Sequence, residues 1–371
     1  LELGFYHVSA PVAALLLGIA IIGAAFLLSW AAEVIQLDVS QGLALALLAL
    51  IAILPEYIVD ATFAWLAAKD PAYSHYAIAN MTGANRLLIG VAWPLVVVLV
   101  WLRTRKTKVS LEPSHGLELI ALLLATIYAF VLPIKGTLSL FDCAVLVTIF
   151  VVYVVRLARM PAEEPHLVGP AATIGTLPAR TRRLVVAGLG VLAAVAILLV
   201  AEPFAHALIE TGTLFGVDEF LLVQWLAPLA SEAPEFVVVS IFAWRGAAGA
   251  ALGALVSSKV NQWTLLVAML PLIYSVGLGH PGALPLDGRQ QDEILLTAAQ
   301  SLFAVLLLLD LRLSLVGAGL LFGMFAAQFI FADIRVEMSI VYLVAGAIAI
   351  FISRAHLGAA IRGARSAGQK H

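Results

Sequence analysis

Long stretches of this chain carry no charge at all: Ala13–Leu28, Leu43–Leu54 and Ala187–Ala201 are unbroken runs of aliphatic, small and aromatic residues. No other feature limits the fold as strongly. About 20 mostly apolar residues cross the hydrocarbon of a bilayer, and there the backbone must satisfy its own hydrogen bonds, which selects helices. The rest of the chain agrees with this reading. Of its 371 residues, 63% are hydrophobic and 12% charged, with mean hydropathy +1.05, whereas soluble domains carry about 25% charged residues. A cytosolic enzyme and a nucleic-acid binder are both excluded. The formal net charge of −2 implies no polyanionic partner. Cys143 is the one cysteine, which rules out an internal disulfide and a cysteine-based metal or redox centre. No Lys or Arg precedes the first apolar run, so a cleavable signal peptide is not expected.

Apolar runs between charged or Pro/Gly-rich breaks give eleven spans. They lie near 11–35, 41–67, 74–102, 115–133, 139–157, 183–209, 218–244, 247–278, 292–309, 313–331 and 337–354. The longest polar segment, Arg156–Arg183, contains Pro161, Pro165, Pro170 and Pro178 and divides the chain nearly in half. With eleven spans, alternate loops and the C-terminal tail share one side. That side collects 15 of the 21 basic residues, among them Arg103, Arg105, Lys106, Lys108, Arg156 and Arg183, against four (Lys69, Lys135, Arg289 and Arg335) on the other. Basic loops stay cytoplasmic, so the N-terminus is expected outside and the C-terminus in the cytoplasm. The remaining two, Arg86 and Lys259, fall within spans.

An internal repeat follows. Residues 53–65 read ILPEYIVDATFAW and residues 232–244 read EAPEFVVVSIFAW, with six of thirteen positions identical, including Pro55/Pro234, Glu56/Glu235 and Trp65/Trp244. Shared bias toward Leu, Ala and Val does not place Pro-Glu and Phe-Ala-Trp at one spacing twice. The first copy lies in span 2 and the second in span 7, which run in opposite directions. Homologous helices of opposite orientation are the mark of inverted-repeat transporters, which hold substrate near the midplane on interrupted helices. Pro55 and Pro234 are the expected interruptions, since proline removes an amide donor and crowds the preceding turn.

Each proline is followed by a buried acid. An ionised carboxylate near the bilayer centre costs at least about 2.5–3.5 kcal/mol. Glu56 is expected roughly 22 Å along its helix, too deep to reach water. Asp60 follows at i+4 on the same face. In the second copy Glu232 and Glu235 flank Pro234. Four acids on two crossing helices suit a cation bound by carboxylate and carbonyl oxygens, as hard cations such as Ca²⁺ prefer. Polar, small stretches open each following span: IANMTGANRLLIG at 78–90 and LGALVSSKVNQWTLL at 252–266. Asn80, Asn85, Asn261 and Gln262 offer neutral oxygens there, while Ser257 and Ser258 read as close-packing residues. Glu202 in span 6 reads as a gate or proton site; Glu33 and His206 read as interfacial. No catalytic motif such as HExxH or GxSxG is present.

These residues resemble the α-repeats of the Ca²⁺/cation antiporter superfamily, which includes sodium/calcium and proton/calcium exchangers. Its repeats centre on Gly-Thr/Ser-Ser-x-Pro-Glu, followed by Gly-Asn-x-x-Gly-Ser-Asn in the next helix. Pro55-Glu56 and Pro234-Glu235 match the first element. Ala79–Asn85 looks like the second, and Leu252-Gly253 with Ser257-Ser258-Lys259 like its repeat. The resemblance implies an all-α polytopic membrane protein of about eleven transmembrane helices. These form two inverted-topology five-helix repeats with broken helices 2 and 7, plus one extra C-terminal helix. The divisions are residues 1–158, a cytoplasmic linker 159–182, residues 183–332, and an extra helix with a basic tail at 333–371. Glu56 and Glu235 are implied as the central ligands of the transported cation. Asp60, Glu232, Asn80, Asn85 and Ser231 complete the cation-binding set, and Lys259, Arg86 and Glu202 modulate its charge. Spans 1 and 6 are implied as the elements that slide to alternate access.

Departures from the pattern bear on the ions. The hydroxyl pair before Pro-Glu is replaced by Ala52 and Ile53 in the first copy, and by Ser231 and Glu232 in the second. In sodium/calcium exchangers these hydroxyls help bind Na⁺. Lys259 stands where the second copy should carry Asn, and a buried Lys must pair or lose its proton. Arg86 is expected to play a similar part in the first copy. That copy also needs an insertion of about five residues near Lys69–Tyr73 to align. The expected function is a secondary active cation antiporter of a prokaryotic plasma membrane. It exchanges Ca²⁺ for H⁺, or for Na⁺, and needs no cofactor, nucleic acid or obligatory protein partner besides the bilayer. A monovalent Na⁺/H⁺ antiporter is the alternative, and an intramembrane metal-dependent hydrolase the remote one.

Overall fold

Among the described residues, helix forms where the apolar runs predicted it. The computed structural model describes residues 8–35, 37–38, 54–159, 167–331 and 333–367, with backbone alone over 352–367. In chain order the helices are α1 (Ala10–Ile35), α2 (Leu54–Lys69), α3 (Ser74–Leu87), α4 (Trp93–Thr104), α5 (Gly116–Ala129), α6 (Val131–Lys135), α7 (Leu140–Leu157) and α8 (Pro170–Gly175). Then come α9 (Ala179–Phe215), α10 (Glu219–Arg245), α11 (Ala248–Asn261), α12 (Val267–Leu278), α13 (Gly288–Leu307), α14 (Leu315–Ile330) and α15 (Arg335–Ala367). Short strands Lys108–Ser110 and Arg312–Ser314 pair antiparallel, one of two two-stranded sheets among the described residues of a mostly helical fold.

Seven continuous helical stretches among the described residues are long and apolar enough to cross a membrane. They are Ala10–Ile35, Pro71–Thr104, Pro113–Lys135, Leu140–Leu157, Ala179–Phe215, Glu219–Arg245 and Ala248–Leu278; Leu315–Ile330 is a shorter apolar helix. Helices α2, α13 and α15 lie over the other expected spans. The first part of span 2, with Ala52 and Ile53, lies outside the described residues, as does Lys370 of the tail.

The expected break in helix 7 is absent. Helix α10 runs through both Pro228 and Pro234 without interruption. Each proline deletes only one amide, which leaves the carbonyl four residues earlier, Gln224 or Ala230, without its helical donor. Irregularity falls instead in the next helix of each repeat. A π-helical turn at Leu88–Ala92 separates α3 from α4, and another at Gln262–Leu266 separates α11 from α12. Pro94, just past the first, cannot donate to Gly90. The first turn opens 33 residues after Pro55 and the second 28 after Pro234. The difference of five is the insertion anticipated from the sequence. It is occupied by a 3-10 turn, Pro71–Tyr73, which Asp70 caps by accepting from the Ala72 amide at 2.9 Å.

By internal contacts the chain falls into two units, Leu1–Ala84 with Leu138–Val237 and Leu265–Pro285, and Asn85–Thr137 with Val238–Thr264 and Leu286–His371. Each takes segments from both halves of the sequence. In the first unit α1 lies along α9, and α2 packs on α9 and α12. Helix α8, in the polar linker, seals against the same pair through Ala171 and Ile174, which meet Trp30, Ala31, Val34 and Val186. Asp38, just beyond α1, receives Arg182 Nε and Nη2 at 2.7 and 2.8 Å and Arg183 Nε at 3.0 Å, joining the end of α1 to the start of α9. The Arg182 hydrogen bonds hold the Asp38 carboxyl down at about 2. Glu33, expected at the interface, is buried within the protein and accepts the Val168 amide of the polar linker at 3.3 Å.

In the second unit α13 packs against α15 and α5, α14 against α4, and α11 against α4 and α5. Gly90, in the first π turn, lies where any side chain would enter the Phe325 ring. The glycine is required there by the closeness of α14.

Candidate cation site

The first unit holds the acids. Glu56 and Asp60 are buried on one face of α2, as their i, i+4 spacing dictates. Asn80 of α3 donates from Nδ2 to Asp60 Oδ1 at 2.6 Å, and both side chains are fully buried. A charged hydrogen bond of this kind contributes about 1.5–3 kcal/mol, which leaves most of the burial cost of a carboxylate uncovered. The other oxygens of the pair, Asp60 Oδ2 and Asn80 Oδ1, are also buried and have no hydrogen-bond partner among the described residues. A carboxylate oxygen and an amide oxygen on two hydrogen-bonded side chains, each without a donor, are what a hard cation takes as ligands.

Helix α10 brings Ser231 and Glu232, both buried, and Glu235, which is half-buried. The Ser231 hydroxyl donates to Ala227 or Pro228 carbonyls at 3.3 and 3.2 Å, so its proton is engaged while its lone pairs remain. Where α3 crosses α10, a side chain on Gly83 would collide with the Gln224 carbonyl, the one that Pro228 leaves without a helical donor. Gln224 also donates to Thr82 at 3.4 Å. The motif glycine is thus a contact point between two helices that carry site residues. Among the described residues, no three His, Cys, Asp or Glu are gathered closely enough to form a metal cage. The four acids share one unit without forming the single cluster expected of them, as carboxylates that repel one another at low dielectric would. Glu202 is exposed on α9, 4.0 Å from His206, whose other ring nitrogen stands 3.0 Å from the Tyr73 hydroxyl.

The second unit holds the cations. Asn85 and Lys259 each stand three residues before a π turn, so they are equivalent in the two repeats, and they touch. Lys259 Nζ donates to Asn85 Oδ1 at 2.5 Å and to the Asn85 carbonyl at 3.3 Å, and lies 4.4 Å above the Trp263 ring. Both residues are fully buried. An amide oxygen, a carbonyl oxygen and an aromatic face are all cation acceptors, here satisfied by the protein's own ammonium. Arg86, for which the sequence named no partner, is held by a carboxylate. It pairs with Glu293 of α13 at 2.5 Å, and Arg335 of α15 binds the other Glu293 oxygen at 2.6 Å. The Arg86 carbonyl accepts Gln300, which accepts Gln328. Sequence reasoning missed Glu293, because its partners lie far away in the chain. It also missed Glu118, whose signal was visible as the one charge in an otherwise apolar helix.

Buried oxygens beside a duplicated Pro-Glu segment, on helices built to cross a bilayer, define an integral-membrane transporter of cations. The sodium/calcium exchanger protein family matches residues 9–158 and 185–332, and the chain belongs to that family. Its members are transporters, which sets the hydrolase reading aside. Among solved structures, the H⁺/Ca²⁺ exchanger CAX is 45% identical with a TM-score of 0.92, over 96% of this chain and 91% of that one. The sodium-calcium exchanger NCX_Mj is 17% identical at a TM-score of 0.57, over 87% and 98%. YfkE is 16% identical at 0.61, over 91% and 93%. These two share the fold. No curated protein sequence matches the chain.

Proposed function

We propose that the chain is a Ca²⁺/H⁺ antiporter. Ca²⁺ and protons compete for the carboxylates Glu56, Asp60, Glu232 and Glu235, with Asn80 as a neutral ligand, and this competition couples two opposed gradients. The observation that carries the reading is the pair of undonated, buried oxygens on Asp60 and Asn80, joined by 45% identity to an H⁺/Ca²⁺ exchanger. Lys259 favours H⁺ over Na⁺ as the counter-ion, because its ammonium already takes the oxygens of Asn85 that a second metal cation would need. In this reading the chain crosses a plasma membrane eleven times, N-terminus outside, with its basic loops cytoplasmic.

The test is uptake of radioactive Ca²⁺ into proteoliposomes. An outward H⁺ gradient should drive uptake, and an outward Na⁺ gradient at constant pH should not. Uptake under Na⁺ alone overturns the choice of counter-ion. No Ca²⁺ uptake under either, with Na⁺/H⁺ exchange intact, makes the protein a monovalent exchanger.

A further inference from the structure

The insertion that lengthens the first repeat ends in a contact that the cation site does not use. Tyr73, the last residue of the 3-10 turn between α2 and α3, has its hydroxyl 3.0 Å from His206 Nδ1 of α9. The two rings also meet edge to face, with centroids 5.8 Å apart. Behind Tyr73 the rings continue inward: Tyr76 lies 5.7 Å from Tyr73, and Phe63 lies 6.3 Å from Tyr76. Phe63 is fully buried on α2, one turn from Asp60, and Tyr76 is on α3, one turn from Asn80. A chain of rings therefore runs from α9 to the hydrogen-bonded pair Asp60 and Asn80. On α9 itself, Glu202 faces the other ring nitrogen of His206 at 4.0 Å. All of these residues belong to one unit.

Helices α1 and α9 pack along each other, and both also touch α2. Every buried residue of α9 is apolar, from Val186 to Gly212. Among the described residues, Tyr73 to His206 is the one hydrogen bond from α1 or α9 to α2, α3 or the turn between them. Lipid tails are as apolar as such helix faces, so burial alone gives helices in a bilayer little reason to stay together. A directed hydrogen bond is then what distinguishes one position of α9 from another.

We infer that Tyr73 and His206 form a latch, on the side opposite the basic loops, that holds α9 to the α2–α3 hairpin and closes Asp60 and Asn80 from that side. The inference rests on the antiport reading above, since competition between two ions couples their gradients only if the site faces one side at a time. The second repeat has no equivalent. Its connection is Gly246 and Ala247 alone, with no aromatic ring. The latch is therefore one-sided, and it gives the insertion a task. A neutral hydrogen bond shifts a two-state population by about fivefold, weak enough to release in every cycle.

Two measurements on the reconstituted full chain test it. The first ties the latch shut: Tyr73→Cys and His206→Cys, in a Cys143→Ala background, are bridged by a reducible bifunctional thiol reagent. Bridging should abolish Ca²⁺ uptake and reduction should restore it, while a monofunctional reagent on the same cysteines should leave uptake running. Uptake that survives bridging means that α9 never leaves the turn, and overturns the inference. The second loosens the latch: Tyr73→Phe keeps the ring and removes only the hydroxyl. Apparent affinity for Ca²⁺ offered on the latch side should rise about fivefold, because more of the protein is open there, with no gain on the opposite side. Affinities that fall alike on both sides, or move on neither, make Tyr73 a packing residue and overturn the inference as well. If the double-cysteine protein does not fold, the Tyr73→Phe measurement decides alone. A wild-type protein without ion exchange fails the antiport reading before any variant is made, whereas intact exchange with both results negative fails the latch alone.

Discussion

Asp60 is the residue at which stability and function pull hardest against each other. Its carboxylate is fully buried, receives one hydrogen bond and leaves the second oxygen undonated. Replacing a buried charge by a neutral group of the same shape is often stabilising. Asp60→Asn keeps the acceptor for Asn80, so it should raise the melting temperature in detergent, by about 1 kcal/mol or more in stability, while abolishing Ca²⁺ transport. A lower melting temperature in the variant would mean that the charge has an unseen partner and is structural. The residues that sequence reading found most easily, Glu56, Asp60, Glu232 and Glu235, were legible because an acid in an apolar helix has few excuses. The partner of Arg86 was not legible, since Glu293 is distant in sequence and only packing brings them together.

Among elements, α1 and α9 are bound as a pair at one end by Asp38, Arg182 and Arg183. The Asp38 carboxyl is held at about 2, below its ordinary 3.8. A depressed carboxylate stabilises the fold fully above its ordinary pKa and loses that contribution as pH falls through the folded value. Asp38→Asn should therefore melt below wild type at pH 7, with the gap closing between about pH 4 and pH 2. Thermal melts across that range check it, and a gap that stays constant or widens in acid counts against the clamp. The helices themselves were legible from apolar runs, and the five-residue insertion from misalignment of the two copies. Continuity through Pro234 was not, because one lost amide is too small a defect to end a packed 27-residue helix. The π turns carry no sequence signature beyond Pro94, so their equivalence emerged only from the backbone.

At the scale of the whole molecule, the added helix α15 is tied into the repeat helices by charge. Arg335 and Arg86 share Glu293, so the end of the chain reaches the residue that follows Asn85. Breaking a buried pair leaves an uncompensated ion and costs about 3–5 kcal/mol. Glu293→Leu should lower the stability by that much, read as a fall in melting temperature, and adding Arg86→Leu should recover most of it. Additive losses in the double variant would show that the two side chains act independently. The sequence divides at residues 159–182, yet the compact units do not, because each gathers segments from before and after the linker. That interleaving sets an order of events during synthesis. The first unit lacks α12 until residue 285 has left the ribosome, so α2 waits in the bilayer for a partner not yet made. A chain halted at the linker holds fragments of both units and completes neither, although the two segments matched by the family part at that same linker.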